Sequence, residues 1–150
     1  HLITAVSAGI ESDESELIPI IEQTERNTNR SIHEISADTG YYSELNIVKL
    51  KKRNITPLVS MKPLSKSGNT KTLDKKRKTR NPISYNHREW MKERSQQTRY
   101  ESRRIVESVF SSIKIIGSVQ QWLLRGRKKV NTEATIAAIA HNLRTINRLK

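Results

Sequence analysis

At 150 residues, 34% of them hydrophobic and 29% charged, the chain has enough material for one modest core beside long solvated stretches. The absence of cysteine excludes a disulfide frame, a zinc knuckle and a thiol nucleophile. The apolar runs are too short to span a bilayer and no secretory pattern opens the chain, so a cytoplasmic location is expected. The formal net charge of +13 is uneven: residues 1–60 hold nine acids and six bases, residues 61–150 six acids and twenty-two bases. Such a surplus favours a polyanion, because each neutralised phosphate releases counterions. Nucleic acid is the first reading. An acidic membrane surface is the second, and it lacks an amphipathic anchor.

In chain order, Leu2 to Val6 reads as a buried strand ended by Gly9, and a chain opening inside a strand at His1 is expected to be a truncated domain. The acids Glu11, Asp13, Glu14 and Glu16 precede Leu17, Ile18, Ile20 and Ile21, which suits a helix N-terminus. Pro19 places the start of that helix close to itself. Ile32 to Ala37 reads as a strand stopped by Asp38-Thr39-Gly40, and Ser43 to Lys52 as a helix capped by Ser43. Thr56 to Ser60 reads as a further strand, with Pro57 confining it to an edge or a strand entry. Strand, helix, strand, helix, strand argues an α/β layer fold with parallel pairing.

Composition then shifts. Residues 61–84 are rich in Lys and Arg, including the run Lys75, Lys76, Arg77 and Lys78, and read as a flexible basic insertion or a localisation patch. Residues 85–150 read as helical: one helix from about Asn86 to Ile116, with a break allowed, then a basic turn at Arg125 to Lys129. A last helix is capped by Asn131 or Thr132. Its apolar stripe is Ile136, Ile139, Ala140, Leu143, Ile146 and Leu149. This division gives an α/β core over 1–60, the insertion over 61–84 and a helical segment over 85–150.

Tyr100, Arg103, Glu107 and Lys114 carry the sharpest pattern. On one continuous helix they fall within a sector of roughly 60°, away from Val106, Val109, Phe110 and Ile113. Arg103 and Glu107 also read simply as an i, i+4 ion pair on a solvated face. Asp38 ends a strand, where parallel layers place ligands, and Gly40 lets the chain turn there; an Asx turn without chemistry has the same local sequence. Trp90 and Trp122 read as packing. His1, His33, His87 and His141 share no ligand spacing. Glu133 is a rival acid with a helix-dipole explanation.

Tyr100-x2-Arg103-x3-Glu107-x6-Lys114 resembles the Tyr-Arg-Glu-Lys motif of the large group of bacterial insertion-sequence transposases with a DDE triad. Ala37-Asp38-Thr39-Gly40-Tyr41, followed by Ser43, Glu44 and Asn46, is similar to the block around that family's second aspartate. The tail, Leu124-Arg125-Gly126 through Glu133 to Ala140-His141-Asn142-Leu143, is similar to the family's ends. The likeness thins over 61–84. It implies a ribonuclease H-like α/β fold, here without its first strands and first aspartate, and with a C-terminal helical extension.

It further implies two magnesium or manganese ions, held by Asp38 and Glu107, in metal-dependent DNA cleavage and strand transfer. Tyr100, Arg103, Lys114, Arg99, Arg104 and the Lys75, Lys76, Arg77, Lys78 run are the implied DNA contacts. The partners implied are transposon ends and target DNA, met by a homodimer on paired ends, in a bacterial cytoplasm on the nucleoid. Glu11, Asp13, Glu14 and Glu16 are poor substitutes for the missing acid, so this chain alone is expected to be inactive. The alternative is a non-catalytic basic DNA-binding remnant of a transposase. A structural basic protein such as a ribosomal component fits poorly with nine acids and two bases in the first 48 residues.

Overall fold

The structure, a computed structural model, describes residues 2–7, 12–62, 78–117 and 122–149, with 114–117 described by backbone alone. The chain divides into two compact units, one formed by His33–Arg103 and the other by His1–Ile32 with Arg104–Lys150.

The unit His33–Arg103 is built on two short parallel strands, β1 (Glu34–Ala37) and β2 (Thr56–Val59), paired so that Glu34 faces Thr56 and Ala37 faces Val59. Parallel neighbours need a crossover, and α2 (Glu44–Lys52) supplies it. The sequence specifies that helix locally. Ser43 is extended and its Oγ accepts from the Asn46 backbone N–H at 3.2 Å, while Ile47 and Leu50 on one face are completely buried. Asn54, with φ of 57°, turns the chain back into β2. Pro57, Leu58 and Val59 are all buried, the continuous burial expected of a strand covered on both sides in a parallel layer.

Among the described residues this unit also holds the helices α3 (Pro82–Met91) and α4 (Arg94–Glu101). Pro82 occupies the first turn of α3, where its missing N–H costs nothing. The helix expected from Asn86 to Ile116, with a break allowed, starts earlier and is divided into three, separated at Lys92-Glu93 and at Ser102-Arg103. Glu93 is extended (ψ 135°) and starts α4 afresh. At the second break the N–H groups of Ser102 and Arg103 bond three residues back, and the Ser102 hydroxyl also donates to the Arg99 carbonyl at 2.6 Å. A serine competing for a helix carbonyl favours an ending there.

In the other unit, α1 (Asp13–Thr28) has three acids in its first turn and buries Leu17 and Ile21. Pro19 lies inside this helix rather than at its start, so the expected boundary moves upstream at the cost of one backbone bond. Residues 2–7 form no strand, another correction. Both the N–H and the C=O of Ile3 are taken by the Asn142 carboxamide, at 2.8 and 2.7 Å, and the Thr4 carbonyl by Asn27 at 2.7 Å. Side-chain amides do the work of a neighbouring strand.

The last helices are α5 (Arg104–Gly117) and α6 (Arg127–Asn147), which pack on each other. Gly126, with φ of 89°, precedes α6, so that helix starts earlier than a cap at Asn131 or Thr132 would give. Its buried residues are Ala134, Ala138 and His141, whereas Ile136, Ile139, Leu143, Ile146 and Leu149 are exposed. The stripe expected to pack faces solvent, because the small residues allow the closer approach. Glu133 lies well inside α6 and not at its N-terminus. Its two carboxylate oxygens accept from the N–H groups of Leu123 and Leu124 at 3.0 and 3.1 Å, tying down the preceding turn.

Candidate functional site

Asp38 follows Ala37, the last residue of β1, and so lies at the carboxyl end of the parallel pair. Thr39, Tyr41, Ser43 and Asn46 order the segment after it. Asp38 caps the 3-10 turn Thr39–Tyr41, its Oδ1 accepting from Thr39 N–H at 2.7 Å. Its carbonyl accepts from Tyr41 N–H at 3.1 Å. The Tyr41 carbonyl accepts from the buried Asn46 side chain at 3.1 Å, and Ser43 caps α2. The local turn reading of Asp38 therefore holds alongside any chemical one. One oxygen is used for the turn, while the side chain as a whole remains 60% exposed.

Arg103 approaches the other oxygen. Its Nη1 is 3.8 Å from Asp38 Oδ2, a charge contact longer than a hydrogen bond, and its guanidinium lies over the Tyr100 ring at 5.5 Å. Three of the residues singled out in the sequence, Asp38, Tyr100 and Arg103, thus meet in one unit. They do so by a different route from the one expected. Tyr100 is in α4, Arg103 is in the turn after it, and Glu107 is in α5, so no single helix carries all four motif residues. The sector argument fails at the Ser102-Arg103 break.

The remaining candidates fall as follows. Arg99 forms an ion pair with Glu34 on β1 and donates to Gln96 Oε1 at 3.0 Å, a cross-brace between α4 and the strand. Arg104 and Glu107 are exposed on α5, in the other unit. Lys114 belongs to α5, but its side chain lies outside the described residues. So do Lys75, Lys76 and Arg77, while Lys78 is exposed.

A second cluster in the same unit escaped sequence reasoning. The Tyr42 hydroxyl donates to Ser84 Oγ at 2.7 Å, and Ser84 donates to Glu44. His87, 1% exposed, stacks on Tyr42 and meets Trp90 at a tilt, at ring distances of 5.6 and 5.7 Å. Its Nε2 bonds the Val59 carbonyl at 2.9 Å, and its Nδ1 has no hydrogen-bond partner among the described residues. Burial, with Lys51 and Arg88 nearby, lowers the His87 pKa from its ordinary value against the opposing pull of the Val59 bond. Burial likewise raises the Tyr42 pKa. Nothing in the spacing of four scattered histidines pointed here. The only local sequence cue was an aromatic residue three positions after His87 on one helix face.

The carboxylate oxygens of Asp38 suit a hard divalent cation by donor type. Among the described residues, no group of three or more His, Cys, Asp or Glu is gathered in metal-holding geometry. The donor chemistry fits such an ion, and the described donors are too few to cage it. No helix of the described residues is long and apolar enough to cross a membrane.

An acid thus lies at the carboxyl end of a parallel strand, where α/β layers place ligands, and is faced by an arginine that lies over a tyrosine. The chain belongs to the transposase DDE domain family, whose model matches residues 2–143. Comparison with curated proteins and with solved structures returned no match. Membership implies the ribonuclease H-like fold, and the mixed helices and small parallel sheet described above agree with it. The family's chemistry is DNA phosphoryl transfer in transposition, and its members use divalent metal ions.

Proposed function

We propose that this chain is part of a transposase catalytic domain that cuts DNA and joins the cut strand to a target, with Asp38 and Glu107 each giving a carboxylate to the metal site. The observation that carries the reading is Asp38 at the strand end with Arg103 and Tyr100 beside it, in a chain of this family. Divalent magnesium or manganese, as two ions when bound, supplies charge stabilisation to the entering and leaving oxygens of the transfer.

The chain's own residues do the rest. Arg103 presents a fork suited to a phosphate, Lys114 a point charge, and Tyr100 a face on which a base stacks. Arg104, Lys75, Lys76, Arg77 and Lys78 add sequence-independent attraction to the DNA backbone, and Arg99 contributes charge while bracing α4 on Glu34. A homodimer on paired ends and a bacterial cytoplasmic, nucleoid-associated location belong to the same reading.

The second reading, a basic DNA-binding remnant without catalysis, draws support from the lack of a three-acid cluster among the described residues. Manganese titration followed by water-proton relaxation separates the two. A catalytic chain loses its manganese binding at least severalfold in both D38N and E107Q. A remnant shows salt-sensitive duplex binding with manganese uptake indifferent to either substitution.

A further inference from the structure

The helix α6 buries its small residues and exposes its large ones. Ala134, Ala138 and His141 are buried, whereas Ile136, Ile139, Leu143 and Ile146 are each between 45% and 63% exposed. At about 100° per residue these four fall within a sector of roughly 80°, with the buried trio on the far side of the helix. Their steps of three, four and three residues are those of a seam between two paired helices, where each apolar side chain enters a gap on the facing helix. Apolar residues on a monomer's surface are ordinarily scattered singly, and a continuous strip marks a place where something binds.

Charge decides what can lie on this strip. The chain carries a net +13, so most of its surface repels a second copy. The seam is an exception. No Lys or Arg occurs from Val130 to Leu143, and Arg144 and Arg148 lie roughly 120° or more round the helix from the middle of the seam. Charge also selects the direction of pairing. Two copies running the same way would set Arg127, Lys128 and Lys129 of each side by side and align the helix dipoles. Running opposite ways, they hold those basic ends about 40 Å apart at ~1.5 Å per residue. Glu133 of one copy then comes level with the end of the other, which carries Arg144 and Arg148. In that register Ile136 meets Ile146 and Ile139 meets Leu143, each twice about a twofold axis, so one strip completes itself.

We propose that the exposed seam of α6 is a self-association surface, and that its occupant is α6 of a second copy of this chain in antiparallel register. The contact is isologous, apolar along its middle and polar at its flanks. It requires no DNA, and so goes beyond the reading above by giving a dimer a surface on the protein alone.

The test is sedimentation equilibrium of the 150-residue chain without DNA, from micromolar to submillimolar concentration. A monomer–dimer equilibrium is expected, tightened by added salt as the repulsion between copies is screened. I139E/L143E should weaken it about tenfold or more, because each glutamate would be buried in the pair without a partner. Both positions are more than half exposed in the single chain, so the urea midpoint of the monomer should stay unchanged. A monomer at every concentration, or a dimer as strong in I139E/L143E as in the original chain, would overturn the proposal.

A second measurement does not depend on those variants folding. The chain has no cysteine, so a spin label on T132C, at an exposed position of α6, reports the direction of pairing. The antiparallel seam separates the two labels by about 27 Å along the helix axis. Parallel pairing would bring them to roughly 10 Å, the distance between packed helices. The short distance, or a signal with no defined distance, refutes the antiparallel seam. With no DNA in either assay, such a failure is distinct from a failure of the DNA reading.

Discussion

Replacing His87 by Phe isolates the effect of one buried imidazole on the unit that carries Asp38. The ring is 1% exposed, stacked on Tyr42 and tilted against Trp90, with Nε2 on the Val59 carbonyl and Nδ1 unpartnered among the described residues. Its pKa is lowered from the ordinary 6.5, chiefly by burial. The sign follows from linkage. Below about pH 6.5 the unfolded chain takes up a proton that the folded chain refuses, so stability falls as the solution is acidified, until the folded pKa is reached. One proton sets the ceiling at about 1.4 kcal/mol per pH unit. Phenylalanine retains the aromatic packing but removes both the titration and the bond to Val59. H87F should therefore be about 1–3 kcal/mol less stable at pH 7.5, from the unpaired carbonyl and the changed packing. Urea unfolding followed by tryptophan fluorescence, in a W122F background so that Trp90 reports, at pH 7.5, 6.5 and 5.5 measures both effects. The original chain should lose stability progressively below pH 6.5, and H87F should lose clearly less. Equal losses in the two proteins would refute the assignment of the acid sensitivity to His87.

Other consequences are more local. I47A, at a completely buried site on α2, should cost about 2–5 kcal/mol in the same urea assay, whereas L45A, at a position 62% exposed on the same helix, should cost less than about 0.5 kcal/mol. N142A removes both bonds to Ile3 and should destabilise its unit by about 1–2 kcal/mol; hydrogen exchange should show the Ile3 amide losing protection while amides of α2 keep theirs.

Much of the frame was legible because its causes are local. Ser43 as a cap, the helix that follows it, and Asp38-Thr39-Gly40 as the stop after a strand all follow from neighbours a few residues away. So does the motif spacing from Tyr100 to Lys114, which led to the family without any geometry. The errors have a common origin. Periodicity records which residues share a face, and cannot say what that face meets. In α6 the isoleucine and leucine stripe has the better hydrophobic pattern, but the alanine face is the one buried, since burial depends on what approaches. Residues 2–6 have the composition of a strand, but a ladder needs a partner, and Asn142, 139 positions from Ile3, takes that place. The break at Ser102-Arg103 likewise turned a helical register into a turn.

By itself, then, the sequence determined part of the local elements, the family and the acid at the end of β1, because caps, turns and motif spacing act over a few residues. Only the tertiary structure decided the company that acid keeps. Arg103, 65 residues away, reaches Asp38 because the unit folds back on itself, and His87 comes under Val59 for the same reason. Such contacts arise from burial and the free energy of packing a whole unit, which no local pattern encodes.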